Sequence, residues 1–340
     1  MKRNIIVFGA TGTLGTYLVD HLEDSNKYNV YACGYRNVNK NYYKNKNVEC
    51  RTIDIRNSAE FGQLPSKNVH SVVQLSGVMP ARMIGYDPRL YLDVNIYGTY
   101  NILEYCRKNN VGKYIFSQSH SDVAGHWNTG QLISPNAQRN LNLSGDHAMY
   151  IISKNGAVDM AEHYYQDYGI MNVILRLPTV YSYRPVNKMY VNGIPKNVAY
   201  RYLIEQAREG KPLEIWGDPT IKKDIVYVKD FVQLVEKALD APKAKGFYNV
   251  GTSIGTSLEE QICGIADIFN DESHKSSIIY RPEKPSQISY LYDIENARRE
   301  LGYEPEFSYL DMLRDMKLEM DGNRFDHVDD GQINYSTERE

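Results

Sequence analysis

The chain opens with a short apolar run, Ile5–Phe8, that ends in a glycine-rich turn, Gly9-Ala10-Thr11-Gly12-Thr13-Leu14-Gly15, and passes straight into a helical pattern. Strand, turn and helix in that order constrain the fold more than any other feature. Glycines here permit a tight turn, close approach of backbone to a pyrophosphate, and close packing of the helix on the strand. The helix N-terminus then offers unpaired N–H donors to phosphate oxygens. A glycine-rich turn standing alone is also an ordinary tight turn. The order of elements is what makes Gly9, Thr11, Gly12, Thr13, Leu14 and Gly15 candidate cofactor contacts.

Short apolar runs continue to alternate with helical patterns. The runs are Ile5–Phe8, Val30–Cys33, Ser71–Leu75, Tyr114–Ser117 and Val173–Leu177; the helical patterns lie at about Thr13–Glu23, Leu90–Asn109 and Ile151–Tyr168. This alternation predicts an α/β fold with a doubly wound parallel sheet covered on both faces. Near Pro178 the character changes. Tyr181–Lys196 reads as a substrate-side loop, followed by short helices and strands separated by Gly/Pro turns. We expect a dinucleotide domain over residues 1–180, to which later segments return, a smaller α/β substrate domain over 181–320, and a polar, mobile tail over 321–340, the polar character starting at about Gly322.

A net charge of −3 and a pI near 6.3 argue against a nucleic-acid or membrane surface as the main partner. The four cysteines, Cys33, Cys50, Cys106 and Cys263, are scattered without a CxxC pair, which suits reduced thiols in the cytoplasm. The first apolar run is too short for a signal peptide or a membrane span, and no His/Cys/Glu cluster has metal-ligand spacing.

The second strand should end in a residue that reads the adenosine ribose, where an acid would bond the 2′-hydroxyl and repel a 2′-phosphate. The sequence there is Gly34-Tyr35-Arg36, with no carboxylate. Arg36 as a phosphate partner favours NADP over NAD; the other reading is a solvated arginine after a strand.

Tyr150-Ile151-Ile152-Ser153-Lys154 sets a phenol and an ammonium four residues apart, on one face of a helix. A phenol with a pKa of about 10 is a poor base at neutral pH, and a neighbouring ammonium favours the phenolate. The bare pattern carries little weight, because a chain with 29 tyrosines also contains Tyr42/Lys46 and Tyr280/Lys284. Context separates them. Tyr42/Lys46 lies in a polar loop, Pro282 interrupts Tyr280/Lys284, and only Tyr150/Lys154 starts a long helix after a buried strand ending in serines. That strand, Tyr114–Ser121, can bring a hydroxyl against the tyrosine.

At this point the chain resembles an extended short-chain dehydrogenase/reductase of the nucleotide-sugar epimerase/dehydratase group, from roughly Asn4 to Asp315. The GxxGxxG spacing is the one found in short-chain dehydrogenases/reductases. Asp54-Ile55 is similar to the family's adenine-contacting pair, and Gln74-Leu75-Ser76-Gly77 stands where the family has His-Leu-Ala-Ala beside the cofactor. Val94–Asn101 matches the helix carrying the structural Asn, here Asn95. Leu175-Arg176-Leu177-Pro178-Thr179-Val180-Tyr181 resembles a strand whose proline lies near the nicotinamide. Trp216-Gly217-Asp218, Lys223–Asp230, Tyr248–Gly251, Arg281 and Leu301-Gly302-Tyr303 follow in family order. The resemblance implies a Rossmann-type fold, with Ser119, Tyr150 and Lys154 as catalytic residues. It adds Asp54, Ile55, Leu75, Ser76, Gly77, Asn95, Ser117, Pro178 and Val180 to the cofactor side, with Tyr150 and Lys154 contacting the cofactor as well, and implies a homodimer paired through the Leu90–Asn109 and Ile151–Tyr168 helices.

Departures from the family pattern fall around the sugar site. The serine segment is one residue longer before Gly125, so His120 or Ser121 competes with Ser119 for the hydroxyl position. His120-Ser121-Asp122 stands where 4,6-dehydratases carry an Asp-Glu acid/base pair, leaving Asp122 as one available carboxylate. Ala124 replaces the usual Tyr, Lys223 replaces a phosphate-binding Arg, and Thr179 replaces a substrate-binding Asn. Arg82, His120, Ser121, Thr179, Lys223 and Arg281 are the substrate-side candidates, for a nucleotide-diphosphate sugar. Arg82 is equally an isolated surface charge, and His120 a hydrogen-bonded structural histidine. With the dehydratase acid pair missing, a sugar epimerase is the first expectation. A 4,6-dehydratase, a keto-sugar reductase, a reductase on a non-nucleotide substrate and a cofactor-sensing regulator are the alternatives.

Overall fold

Arg3–Phe8 (β1) is the fifth of seven strands in a parallel sheet, in a computed structural model that describes residues 2–35, 40–83, 85–145, 147–184, 188–191, 194–271 and 274–325. The other strands are Tyr28–Gly34 (β2), Val48–Thr52 (β3), Val69–Gln74 (β4), Lys113–Ser119 (β5), Met171–Leu177 (β6) and Gly246–Asn249 (β7). Their order is β7-β6-β5-β4-β1-β2-β3, and every pairing is parallel. Side chains of a strand alternate between faces. Ile5 and Val7 accordingly enter one core cluster, and Ile6 and Phe8 the cluster on the opposite face. This double burial is why β1 reads as a continuous apolar run rather than an alternating one.

Thr13–Asp24 (α1) follows the glycine turn and packs with Val228–Asp240 (α5) on the first face. Gly98–Lys108 (α2) and His147–Tyr168 (α3) cover the second face. The single helix expected over Leu90–Asn109 is broken into Pro88–Tyr91, a π-helical stretch at Leu92–Tyr97, and α2. Two of the seven strands were not expected as such. β3 lies at the sheet edge with every residue at least partly exposed, so it carries no apolar run. β7 is only four residues long.

Beyond Leu177 the chain builds small paired strands: Lys188–Val191 with Ile194–Asn197, Leu213–Trp216 with Ile278–Arg281, and Lys222–Asp224 with Gly255–Ser257. Helices Ala199–Arg208 (α4), Leu258–Phe269 (α6) and Tyr309–Asp321 (α7) pack among them. Within the stretch expected to be a mobile tail, residues 322–325 are packed on the fold. Arg324 ion-pairs with Asp20 and Glu319, and Phe325 is fully buried among tyrosines. One aromatic ring and one charge anchor the segment 322–325. Residues 326–340 lie outside the described residues. Among the described residues, no helix is long and apolar enough to cross a membrane.

Candidate active site

A cleft of about 200 Å³, open to solvent, runs along the carboxyl ends of β1, β2, β3 and β4. In doubly wound sheets this edge is where ligands bind. Its floor is the glycine turn. Gly9 has a φ of +89°, and a Cβ there would stand 2.6 Å from the backbone nitrogen of Ser76. A Cβ on Gly15 would stand 2.1 Å from the Gly9 carbonyl oxygen, so helix and turn are in contact through bare backbone. Gly12 occupies the N-cap of α1 with no side-chain cap, which leaves the first-turn N–H groups available to an anion. The Ser76 hydroxyl is buried without a hydrogen-bond partner and lines the same cleft. An orphaned hydroxyl, bare backbone and free helix N–H groups together fit the phosphates of a dinucleotide.

Of the expected cofactor residues, Gly9, Thr11, Gly12, Asp54, Ile55, Leu75, Ser76 and Gly77 line the cleft. Thr13, Leu14 and Gly15 form the first turn of α1. Arg36 lies outside the described residues. Asn95 and Ser117 sit behind the wall: Asn95 receives the Val78 N–H at 2.8 Å and donates to the Val78 carbonyl at 3.0 Å, and Ser117 donates to the Gln74 carbonyl at 3.2 Å. Pro178 is buried and Val180 partly buried just past the end of β6. Arg56, which sequence reading passed over, also lines the cleft. Its Nε donates to both Asp54 oxygens at 2.9 and 3.0 Å, and its Nη2 to the Tyr35 hydroxyl at 3.2 Å. The signal was available as a charge directly following Asp54-Ile55.

Ser119 ends β5, Tyr150 comes against it from α3, and Lys154, one turn further along α3, lies over the Phe116 ring of the same strand. Three side chains set the register between strand and helix. Gln118 accepts the Ser119 N–H at 2.9 Å and donates to Asn155 at 2.8 Å. Asn95 donates to Ser153 at 2.9 Å, and Ser153 donates to the Tyr150 carbonyl at 2.7 Å. None of these positioning groups was picked out from sequence except Asn95, because each acts across a long sequence separation.

The electrostatics differ from the expectation in one respect. Burial pushes the Tyr150 phenol up to about 12, against a smaller downward pull from Ser119. Burial also draws the Lys154 ammonium down to about 7. Desolvation penalises the charged form of each, so both are driven towards neutrality. Lys154 Nζ stands 3.9 Å from the centre of the Phe116 ring, with no carboxylate in ion-pair contact among the described residues. The expected lowering of the phenol by Lys154 is absent in the chain alone, where only Ser119 opposes the effect of burial.

The substrate-side candidates separate into groups. His120 turns into an aromatic cluster, its Nδ1 2.7 Å from the Tyr292 hydroxyl and its ring 4.8 and 4.9 Å from those of Trp127 and Tyr290. Burial pulls its pKa down to about 3, which keeps it neutral. Ser121 bonds Ser119, Oγ to Oγ at 3.2 Å. Lys223 and Thr179 both border Tyr290, and burial pulls the Lys223 ammonium down. Arg281 pairs with Glu214 at 3.0 Å, beside the half-exposed Trp216 indole, over which Lys284 sits. Arg82 is exposed at the end of the short helix Pro80–Arg82. Asp122 is not an available carboxylate. It is fully buried and held by Arg176 through three hydrogen bonds of 2.9 to 3.1 Å.

The fold and this cleft define a dinucleotide-binding α/β protein of the extended short-chain dehydrogenase/reductase kind. More narrowly, the chain belongs to the NAD dependent epimerase/dehydratase family, whose model matches residues 5–251. It is 26% identical over 297 residues to a UDP-glucuronate 4-epimerase of Thermodesulfobacterium geofontis, spanning 87% of this chain and 85% of that protein. It is 24% identical to a UDP-glucose 4-epimerase of Pisum sativum, spanning 92% of this chain and 94% of that one. Among solved structures, the UDP-glucose 4-epimerase of Thermotoga maritima with UDP-glucose superposes with a TM-score of 0.74 at 23% identity, covering 94% of this chain and 99% of that one.

Proposed function

We propose that this chain is an NAD(P)-dependent nucleotide-diphosphate-sugar 4-epimerase. The observation that supports the reading is Tyr150 set against Ser119 at the end of β5 and packed on Val78 and Leu90, two walls of a cleft whose glycine floor and orphaned Ser76 hydroxyl suit a dinucleotide. The relatives named for 4-epimerase activity span nearly the whole chain, which supports the same reading.

In this proposal a bound nicotinamide dinucleotide supplies the hydride acceptor for oxidation at C4 and the hydride donor for its reversal. Tyr150 takes the proton of the C4 hydroxyl and returns it after the keto-sugar has turned over. Ser119 holds the C4 oxygen beside the phenol. Lys154, when protonated, stabilises the phenolate, offsetting the burial that raises the Tyr150 pKa. Arg281, Lys223 and Trp216 face the nucleotide diphosphate. Arg82, Thr179 and Ser121 border the sugar, and His120 shapes that pocket from behind. Asp122 is already committed to Arg176, which removes the carboxylate a 4,6-dehydratase would need.

For the cofactor, the missing acid after β2 and the guanidinium of Arg56 in the cleft support tighter binding of NADP than of NAD. The four cysteines are free, which suits the cytoplasm. Exposed Tyr97, Tyr100 and Ile152, on the helices expected to pair, support a homodimer.

The test is to incubate the protein with UDP-, GDP-, CDP- and dTDP-sugars, with and without NADPH, and to identify products by NMR. C4 inversion without consumption of NADPH is the expected result. No turnover of any sugar, with wild type and Tyr150→Phe alike, removes the proposal.

A further inference from the structure

The last two described residues reach back to the element that follows the glycine turn. Phe325 is fully buried, its ring 5.1 Å from Tyr17 of α1, 6.0 Å from Tyr42 and 6.1 Å from Tyr183. Arg324 bonds Asp20 of α1 at 2.9 Å and also pairs with Glu319. Its guanidinium stacks on both Tyr17 and Phe325. Three segments therefore converge on one ring: the helix behind the phosphate turn, the segment after β2, and the start of the substrate-side loop.

Each of the three also leads to the glycine turn by hydrogen bonds. Tyr43, next to Tyr42, donates to the carbonyl of Ala10 at 2.9 Å. Tyr17 donates to the Tyr183 carbonyl at 3.2 Å and bonds Glu319 of α7. Arg184 donates to Thr16 at 3.1 Å, and Thr16 donates to the Gly12 carbonyl at 2.8 Å. Asp20 gathers Tyr42, Lys46 and Arg324 around one carboxylate. A buried polar network of this kind is stabilising only while every member is satisfied, so loss of one loosens the rest.

We propose that Arg324 and Phe325 are positioning residues: a C-terminal plug that locks the phosphate turn to the Tyr183–Arg184 segment and so retains the dinucleotide between turnovers. An epimerase regenerates its cofactor in place and gains nothing from exchange, so a lock of this kind suits that chemistry. The inference rests on the reading of the cleft as a dinucleotide site, and the test needs no sugar substrate.

The experiment loads the full chain with NADPH or NADH, whichever binds more tightly, mixes it with an excess of the matching oxidised dinucleotide, and follows release by the loss of protein-bound fluorescence. Phe325→Ala and Arg324→Gln are each expected to speed release by about tenfold, within the range for coupling through packed contacts. Arg324→Lys, which keeps the charge, should return the rate towards wild type. Met312→Ala, a core truncation at the far end of α7, controls for general destabilisation. At matched loss of Tm it should leave release unchanged. If Phe325→Ala and Arg324→Gln release the dinucleotide at the wild-type rate, or if Met312→Ala speeds release equally, the plug has no positioning role. A wild-type chain that takes up no dinucleotide overturns both this inference and the reading of the cleft.

Discussion

Arg176 and Asp122 form an ion pair buried from solvent, joining the carboxyl end of β6 to the turn that leaves β5, three residues after Ser119. Arg176 also donates to the carbonyls of Ser134 and Pro135 and to Asn249, so one guanidinium gathers four segments close to the end of β5. Its ring neighbour is Phe247, 4.7 Å from the guanidinium carbon. The pair fixes where β5 ends and hence where Ser119 stands.

Removing one partner leaves a buried charge uncompensated. Asp122→Asn is expected to destabilise the fold by about 3–5 kcal/mol, whereas an apolar replacement of both partners costs far less. Equilibrium unfolding of Asp122→Asn, Arg176→Met and the Asp122→Leu/Arg176→Met double variant measures the difference. Equal losses for the single and double variants would count against a committed pair.

Tyr150→Phe is expected to lower turnover by about 10²–10⁴-fold, the usual contribution of a positioned proton-transfer group. Dinucleotide affinity should remain close to that of wild type, since the phenol stands apart from the glycine floor. Ser119→Ala should fall in the same direction by a smaller factor. Steady-state kinetics with cofactor titration on each variant separates a chemical role from loss of the cleft.

His120 gives the fold an acid-sensitive element. Its folded pKa lies at about 3, below the ordinary imidazole value of about 6.5, because burial opposes the charged ring. Between those values the unfolded chain binds a proton that the folded chain does not. The stabilisation is thus complete above about pH 6.5 and is lost as pH falls towards 3. Its slope is at most about 1.4 kcal/mol per pH unit. Chemical denaturation at pH 7, 6 and 5 should show the loss in wild type and a flatter profile in His120→Asn. Parallel profiles would mean the ring is already charged or exposed.

What was legible in the sequence was local. Strand β1, the glycine turn and α1 are contiguous, and so are Ser119 with the end of β5 and Tyr150 with Lys154 on one helix. Periodicity and turn chemistry suffice for such features. What escaped is set by pairs far apart in the chain. His120 could be read as a sugar ligand or as a structural histidine, and the hydrogen bond that the second reading needs comes from Tyr292, 172 residues on. Asp122 looked like a free acid until Arg176 closed on it. The polar end of the chain concealed Phe325 because a lone ring leaves no periodic pattern. β3 escaped for a related reason, since an exposed edge strand need not be apolar.

The glycine turn gives the sharpest contrast between two substitutions of the same kind. A Cβ on Gly15 would lie 2.1 Å from the Gly9 carbonyl oxygen and 2.8 Å from the Ala10 Cα, both backbone atoms that cannot rotate aside. Gly15→Ala must therefore push α1 away from the turn. We expect a loss of about 1–3 kcal/mol from overpacking and weaker dinucleotide binding, because the N–H donors of the first turn move with the helix. Gly62, in the short helix Ser58–Gln63, has nothing within 4 Å of its would-be Cβ and is not at positive φ. Gly62→Ala should instead stabilise the fold by about 0.4–1 kcal/mol by narrowing the unfolded ensemble, with dinucleotide affinity unchanged. Denaturation midpoints and NADH titrations of the two variants test both halves. If Gly15→Ala binds NADH as wild type does, helix and turn are not held together as described, and the phosphate reading of that turn loses its main support.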